Sequence, residues 1–217
     1  LVRIMKNSHI EDRRYCHLFL LTILFMASSC VGGKYTYNFD TGKSLDFGNG
    51  RWIFNEVGTN STANNNKKLY EVSYAKFKRI LGDSLIDLTS LRNIALVKPE
   101  IEFDPTSLEL KKLYVDSQCD FLINIRGNEI SNSASSFYTN EQNSNYSTSN
   151  MSSVDIKIFD LKTGMLISSS SGQAKSTEQH SVFEKDGKLN WTTRAEPMMI
   201  RAAEGLIRKY DKNSRDK

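Results

Sequence analysis

Residues 154–167, VDIKIFDLKTGMLI, carry the clearest structural signal in the chain. The first five of them alternate between apolar and charged side chains, which predicts a half-buried β-strand. Asp160-Leu161-Lys162-Thr163-Gly164 supplies a turn, and a glycine in a short loop between two apolar runs favours a hairpin. Met165-Leu166-Ile167 then begins the return strand. We therefore expect a β-hairpin whose turn is residues 160–164.

Three further strands are predicted before this hairpin. Residues 51–57 (RWIFNEV) are rich in aromatic and β-branched residues. Residues 93–98 (NIALVK) form an apolar run that is stopped by Pro99. Residues 120–130 are apolar enough to predict a strand in the centre of a sheet.

Three helices are predicted from apolar residues that recur at intervals of three and four. The first spans residues 69–88, and Gly82 weakens it without ending it. The second begins at Asp104-Pro105, because Asp can cap exposed backbone N–H groups and Pro suits the first helical position. Pro197 opens the third. One face of that helix carries Met199, Ala203, Leu206 and Tyr210.

The order β-α-β-α-β-β-β-α implies an α/β fold of the two-layer α+β type, with one mixed sheet of about five strands and three helices packed on it. We expect residues 50–212 to form a single domain. Residues 30–49 lack helical periodicity and are predicted to be a tether. Polar excursions are expected at 131–153, where 16 of 23 residues are Ser, Thr or Asn, and at 168–193. Such composition favours a mobile loop or a ragged hairpin.

Residues 1–29 are typical of an export signal. Arg13 and Arg14 close a polar opening, residues 18–26 are almost wholly apolar, and Ala27-Ser28-Ser29 precede Cys30. An apolar run this short suits a signal peptide better than a membrane-spanning helix. The pattern is similar to a bacterial lipobox, which predicts cleavage before Cys30 and acylation of that residue, palmitate included, as a membrane anchor. An ordinary signal peptide and an uncleaved anchor are the alternatives.

Charge and cysteine content narrow the function classes further. Residues 1–29 hold four basic and two acidic residues, so removing them lowers the net charge from +4 to +2. Nucleic-acid binding needs basic residues clustered on one face, so we predict no nucleic-acid partner. Cys119 is then the one cysteine left within the domain, and the apolar run at 121–123 favours its burial over a nucleophilic role.

The patterns that carry catalysis are missing from the predicted domain. His180 is its one histidine, which excludes a zinc site with two histidine ligands. Glu100, Glu102 and Asp104 lie close together, where a solvated edge is favoured over a calcium site. We therefore predict no catalytic residue, no metal and no cofactor. An envelope hydrolase with a carboxylate site around Glu100 or Asp104 is the alternative.

Three segments resemble the curli-secretion lipoprotein superfamily, which includes CsgG, LpoB and the amino-terminal domain of TolB. Residues 117–127 follow its pattern of a helix, an aspartate and an apolar strand ending in glycine. Residues 154–167 are similar to its hairpin with an Asp…Thr-Gly turn, and residues 202–206 are similar to its last helix. The resemblance implies a non-enzymatic periplasmic α/β domain on a lipid anchor that binds partner proteins or assembles into rings.

We accordingly expect a lipoprotein of the cell envelope, on the outer membrane facing the periplasm, that acts as a protein-binding or assembly module. Its partner is an envelope protein or a second copy of the chain. Aromatic side chains in polar surroundings are the docking candidates, because they combine large apolar area with a polar group. These are Phe137, Tyr138, Tyr146 and Trp191. The alternative is that each of them packs onto its own domain.

Overall fold

A mixed β-sheet forms the centre of the structure. The computed structural model describes residues 33–93, 95, 97–98, 100–131, 145–181 and 194–215. In these ranges the strands are β1 (Lys34–Thr41), β2 (Trp52–Phe54), β3 (Gly58–Thr59), β4 (Leu85–Asp87), β5 (Phe121–Ser131), β6 (Asn145–Asp160) and β7 (Met165–Ser181). The helices are α1 (Ala63–Leu81), α2 (Leu88–Arg92), α3 (Ser107–Ser117) and α4 (Ala195–Arg215). The predicted fold, an α+β arrangement on one mixed sheet, is confirmed, but these ranges hold seven strands and four α-helices where about five strands and three helices are predicted.

The sheet has a parallel end and an antiparallel end. Its strand order is β1-β7-β6-β5-β2-β4, with β3 also pairing with β5. Strands β4, β2 and β5 run parallel to one another. Strands β5, β6, β7 and β1 are antiparallel. The chain passes from β2 to β4 on one side and then to β5 on the other, so the strand order reverses at β2.

Helices cover one face of the sheet broadly and the other face only at the parallel end. Trp52 and Phe54 pack with residues of α1 and α4, whereas Ile53 between them packs with residues of α2 and α3. This alternation follows from the two-residue period of a strand, which sends neighbouring side chains to opposite faces. The larger core therefore lies under α1 and α4, and it is rich in aromatic rings.

Strand β7 buries serine side chains under α4. Ser168 and Ser170 are almost fully buried, and their hydroxyl oxygens each lie 2.7 Å from the hydroxyl of Tyr210. Ser168 also donates to the backbone carbonyl of Gly42 at 3.0 Å. Because each of these two hydroxyls has a partner, both serines are buried in the core without an unpaired group.

The predicted hairpin is confirmed, and β5 is central as expected. Strands β6 and β7 pair antiparallel, and the amide of Gly164 donates to the carbonyl of Asp160 at 2.9 Å. The Thr163 amide donates to the Asp160 carboxylate at 2.9 Å. Gly164 has a φ of 70°, a conformation that glycine adopts without strain.

The sequence prediction missed strand residues in three places. Residues 34–41, predicted as part of a tether, form β1, in which Tyr35, Tyr37 and Phe39 alternate with polar residues. Residues 145–153 and 168–181, predicted as parts of the polar excursions, lie in β6 and β7. Of the two alternatives for 131–153, the mobile loop is wrong for 145–153 and the hairpin is the one found, because β6 pairs antiparallel with β5 and buried serines such as Ser152 face the core.

Two helix boundaries and one strand also differ from the prediction. Helix α1 ends at Leu81 because Gly82 has a φ of 57°, so Leu85 belongs to a strand and not to the helix. The strand predicted at 93–98 is absent from the residues described there, and β4 takes its place beside β2. Helix α3 begins at Ser107 and is capped by Thr106 through a capping box with Glu109.

Candidate functional site

The predicted acylation site and the side chains of the predicted docking residues fall outside the described parts of the chain. Cys30, Phe137, Tyr138 and Trp191 are not among the described residues, and of Tyr146 only the backbone is described, in β6 opposite His180. The predicted anchor, its boundary at residues 29–30 and the predicted aromatic docking residues therefore stay predictions.

Strand β1 forms an edge of the sheet. Seven of its eight residues pair antiparallel with β7 on one side, and no described strand lies on the other. An edge strand presents a row of backbone N–H and C=O groups to solvent, to which another strand can pair. Prediction from sequence missed this feature, although the alternation of aromatic and polar residues from Lys34 to Asp40 was a signal for it.

The sheet face opposite α4 is polar and open to solvent, and we call it the open face. Thr36, Asn38, Gln173, Lys175 and Thr177 are all exposed there. Its described side chains come from alternate positions of β1, β6 and β7. They are Lys34, Thr36, Asn38, Asp40, Ser149, Met151, Ser153, Asp155, Lys157, Ser169, Ser171, Gln173, Lys175 and Thr177.

Charge on the β1 side of the open face is divided between two ends. Lys34 lies directly opposite Lys175 in the β1–β7 register, and neither ammonium group forms an ion pair with a described residue. At the other end, Asp40 bulges out of register. Its carboxylate accepts hydrogen bonds from Asn38 at 2.6 Å and from Ser169 at 3.2 Å. The strand thus has a basic end and an acidic end.

Charged side chains of β5 and β6 border the open face on the side nearest the parallel strands. Arg126 lies 4.1 Å above the ring of Phe103, and its guanidinium lies 3.9 Å from Asp155. Lys157 forms an ion pair with Asp104. Burial raises the pKa of the Asp155 carboxyl, and Arg126 and Lys157 oppose that rise. Asp104, which is predicted to lie on a solvated edge, is thus held at the sheet by its ion pair with Lys157.

Two buried asparagines hold the segment 101–103 against the sheet. The Asn55 amide donates to the carbonyl of Ile101 at 2.9 Å and to the Asn124 side-chain oxygen at 3.0 Å. The Asn124 amide donates to the carbonyls of Glu102 and Phe103, each at 2.9 Å. Since β2 and β5 are neighbours, their asparagines meet at the carboxyl end of β2. We call this pair the asparagine clamp.

Cavities lie on both sides of the clamped segment. One, of about 410 Å³, is bounded by residues 95–105 and α3 and is lined by Val97, Ile101, Leu110 and Leu113 among others. The other, of about 490 Å³, lies at the end of β2 and includes Asn55, Asn124 and Arg126. Both are large enough for a small ligand, and the second lies where α/β sheets commonly bind one.

The first cavity brings Glu100 and Glu102 together with Glu109 and Asp116. A carboxylate hydrolase would need one of these acids to keep its proton near neutral pH, and so to have a raised pKa. Glu109 has the opposite property. Hydrogen bonds from Lys98 and Thr106 lower its pKa to about 2. Glu109 is therefore suited to capping α3 and not to donating a proton.

Cys119 is fully buried, as predicted from the apolar run that follows it. Burial raises the pKa of its thiol, and a hydrogen bond with Ser117 opposes that rise. A thiol with a raised pKa holds less of the reactive thiolate at neutral pH. The structure therefore favours packing as the role of this cysteine.

None of the helices in residues 33–93 and 100–215, as far as they are described, is both long and apolar enough to cross a bilayer. Across the same parts of the chain, no three His, Cys, Asp or Glu side chains are grouped so that they could hold a metal ion.

The sequence matches no protein-family model and no curated protein. Its fold is similar to several solved structures. The PelC dodecamer from Paraburkholderia phytofirmans is 10% identical and covers 83% of this chain and 97% of its own, with a TM-score of 0.47. The hypothetical protein CT253 from Chlamydia trachomatis is 11% identical over 77% of this chain and 99% of its own, with a TM-score of 0.36.

Lipoprotein GNA1162 from Neisseria meningitidis is 12% identical and covers 71% of this chain and 96% of its own, with a TM-score of 0.37. Structures similar to this chain thus include a lipoprotein and a dodecamer. Likenesses at this identity concern the path of the backbone and not the chemistry of a site. The narrower resemblance to the curli-secretion superfamily stays a prediction.

Proposed function

We propose that this chain is a lipoprotein of the cell envelope that acts, on the periplasmic side of the outer membrane, as a non-enzymatic protein-binding or assembly module. The edge strand β1 is the observation that supports the proposal most. Its outer backbone groups have no sheet partner in the described structure, and its side chains on the open face are exposed.

Pairing of strands between proteins gives affinity through backbone hydrogen bonds and specificity through alternate side chains. Strand β1 is eight residues long, and among the described strands none lies on its outer side. The open face beside it is polar, so a partner strand would extend the sheet without exposing an apolar surface. These properties fit a partner protein or a second copy better than a small substrate.

The hydrolase alternative draws its support from the first cavity, where Glu100 meets three further acids. We give it second place because hydrogen bonds from Lys98 and Thr106 lower the pKa of Glu109, so this acid of the cavity is not suited to donating a proton. Peptidoglycan and ester substrates should therefore be turned over no faster by the purified protein than by the Glu100→Gln and Glu102→Gln double variant.

The anchor is tested by labelling the native host with an alkyne analogue of palmitate. We expect label on the wild-type chain and on Cys119→Ser, and none on Cys30→Ser, because Cys119 is buried and Cys30 follows the small residues of the lipobox-like segment. Mass spectrometry should find an acylated Cys30 as the new amino terminus. Label that persists on Cys30→Ser would refute acylation at this residue.

The partner-binding surface is tested with a photo-crosslinking amino acid placed at Thr36, which is exposed on the open face of β1. Irradiation of living cells should yield discrete adducts from this position. Leu108, 79% exposed on α3, is the matched control. If position 36 gives no more adduct than position 108, the edge strand is not a partner-binding surface and the proposal fails.

A further inference from the structure

We infer that two copies of the chain pair through β1, antiparallel and about a two-fold axis at Tyr37, so that Lys34 of each copy lies opposite Asp40 of the other. The inference rests on the proposed function and names a second copy of the chain as the partner. It is carried by the register of β1, by its charge and by its aromatic side chains.

The register follows from the geometry of antiparallel strands. Directly opposite residues lie on the same face of a sheet, and side chains alternate along each strand. Two copies of β1 can thus extend one continuous sheet only when a residue is the centre of the pairing. Centred on Tyr37, the pairing aligns Thr36 with Asn38 and Tyr35 with Phe39, and it brings Lys34 beside Asp40, the residue at the bulge in the β1–β7 register.

Neighbouring registers lose the charge match. Centred on Thr36, the pairing brings Lys34 opposite Asn38, and centred on Asn38 it brings Asp40 opposite Thr36. Because Lys34 and Asp40 both lie on the open face, the pairing about Tyr37 forms two ion pairs, one on each side of the axis. Opposite charges directly across an antiparallel pair stabilise it.

The electrostatics of a single copy favour this arrangement. Lys34 faces Lys175 across β1 and β7, and like charges placed directly opposite are unfavourable. At the other end, Asp40 and Asp155 are close enough for Asp40 to contribute to the raised pKa of Asp155. A two-fold pairing places the basic end of each copy beside the acidic end of the other. Both repulsions are thereby reduced.

The opposite face of β1 contributes apolar contacts. Tyr35, Tyr37 and Phe39 are each only partly buried against α4 and the core below it. The pairing would bring Tyr37 of one copy beside Tyr37 of the other, and Tyr35 beside Phe39. Cross-strand aromatic pairs add stability to antiparallel strands. The same register thus pairs opposite charges on the open face and aromatic side chains on the face that packs against α4.

A competing explanation is that Lys34 guards the edge, since lysine on an edge strand discourages pairing. Charge reversal separates the two explanations. We would carry the crosslinking amino acid at Thr36 in the full-length chain in its native membranes and combine it with Lys34→Glu, with Asp40→Lys, or with both. The adduct measured is the one with twice the mass of the chain.

Each single reversal turns both ion pairs into repulsions, and the twofold adduct should fall at least about fivefold. The double reversal restores opposite charges and should recover most of the adduct. Lys162→Glu, an exposed lysine in the β6–β7 turn, should leave it unchanged. Melting temperatures of all variants are compared, so that a loss caused by unfolding is recognised, and the recovery in the double variant excludes it directly.

Four results would overturn the inference. If Lys34→Glu raises the amount of twofold adduct, Lys34 discourages pairing at the edge of the sheet. If the amount of twofold adduct changes with neither charge reversal, the proposed register is wrong. If position 36 captures only chains of another mass, the partner is a different protein, and the proposed function survives while this inference fails. If position 36 gives no more adduct than the Leu108 control, both this inference and the proposed function fail.

Discussion

Replacing Tyr210 by alanine should lower the free energy of unfolding by about 3–5 kcal/mol, the range seen when a large buried aromatic side chain is removed. Tyr210 has no exposed surface, and its ring packs edge-on to Phe39 at 4.9 Å and close to Phe47 and Phe77. The substitution leaves a cavity at the point where α4, β1 and β7 meet. Urea denaturation followed by circular dichroism measures the loss.

Tyr210→Phe is the matched control. It keeps the ring and removes only the hydroxyl that lies 2.7 Å from Ser168 and Ser170. Because Ser168 keeps the carbonyl of Gly42 as an acceptor, we expect a loss of about 1 kcal/mol, the usual net value of a hydrogen bond. Equal losses in the two variants would mean that the hydroxyl, and not ring packing, joins α4 to the sheet.

The second large effect is expected at the asparagine clamp. Asn124→Leu removes the donors to the carbonyls of Glu102 and Phe103 and the acceptor for Asn55. An unpaired buried polar group costs about 1–3 kcal/mol, so we expect a loss of about 2–4 kcal/mol. The segment 101–103 should also separate from the sheet, and hydrogen exchange read by mass spectrometry should show faster exchange of peptides covering 100–105.

Asn128→Leu is the control for this substitution, since Asn128 is half-buried at an alternate position of the same strand. It should change stability by less than about 0.5 kcal/mol, the range usual for substitutions away from buried networks. Exchange at 100–105 should stay as in the wild type. If Asn124→Leu lowers stability without faster exchange there, the asparagine pair supports the core and does not hold the segment.

The parts of the fold that could be predicted from sequence are those whose local pattern agrees with their burial. The alternation at 154–158 and the Asp160–Gly164 turn predict the hairpin, and the structure has it. The apolar face of helix α4 is buried, as its sequence predicts. In these elements sequence period and tertiary environment point to the same structure.

Elsewhere the local pattern was misleading. Leu85 continues the helical spacing of α1, but Gly82 ends the helix and Leu85 starts β4. Ser152, Ser168 and Ser170 are buried in strands, where a polar residue hides the apolar alternation that marks a half-buried strand. The asparagine clamp joins residues 69 positions apart and has no local signal at all. Such long-range polar pairs are visible only once the strands are side by side.

The position of β1 in the sheet governs the order in which the chain can complete its fold. β1 is the first of the described strands but pairs with β7, so the residue opposite Lys34 is Lys175, 141 positions later in the chain. Contacts so distant in sequence form late, because a long loop must close first. During synthesis, Tyr35, Tyr37 and Phe39 therefore stay uncovered until α4, which follows β7, has emerged. A chain that stops before residue 165 lacks both β7, with which β1 pairs, and α4, against which these rings pack, and its exposed aromatic side chains make it a substrate for proteases and chaperones.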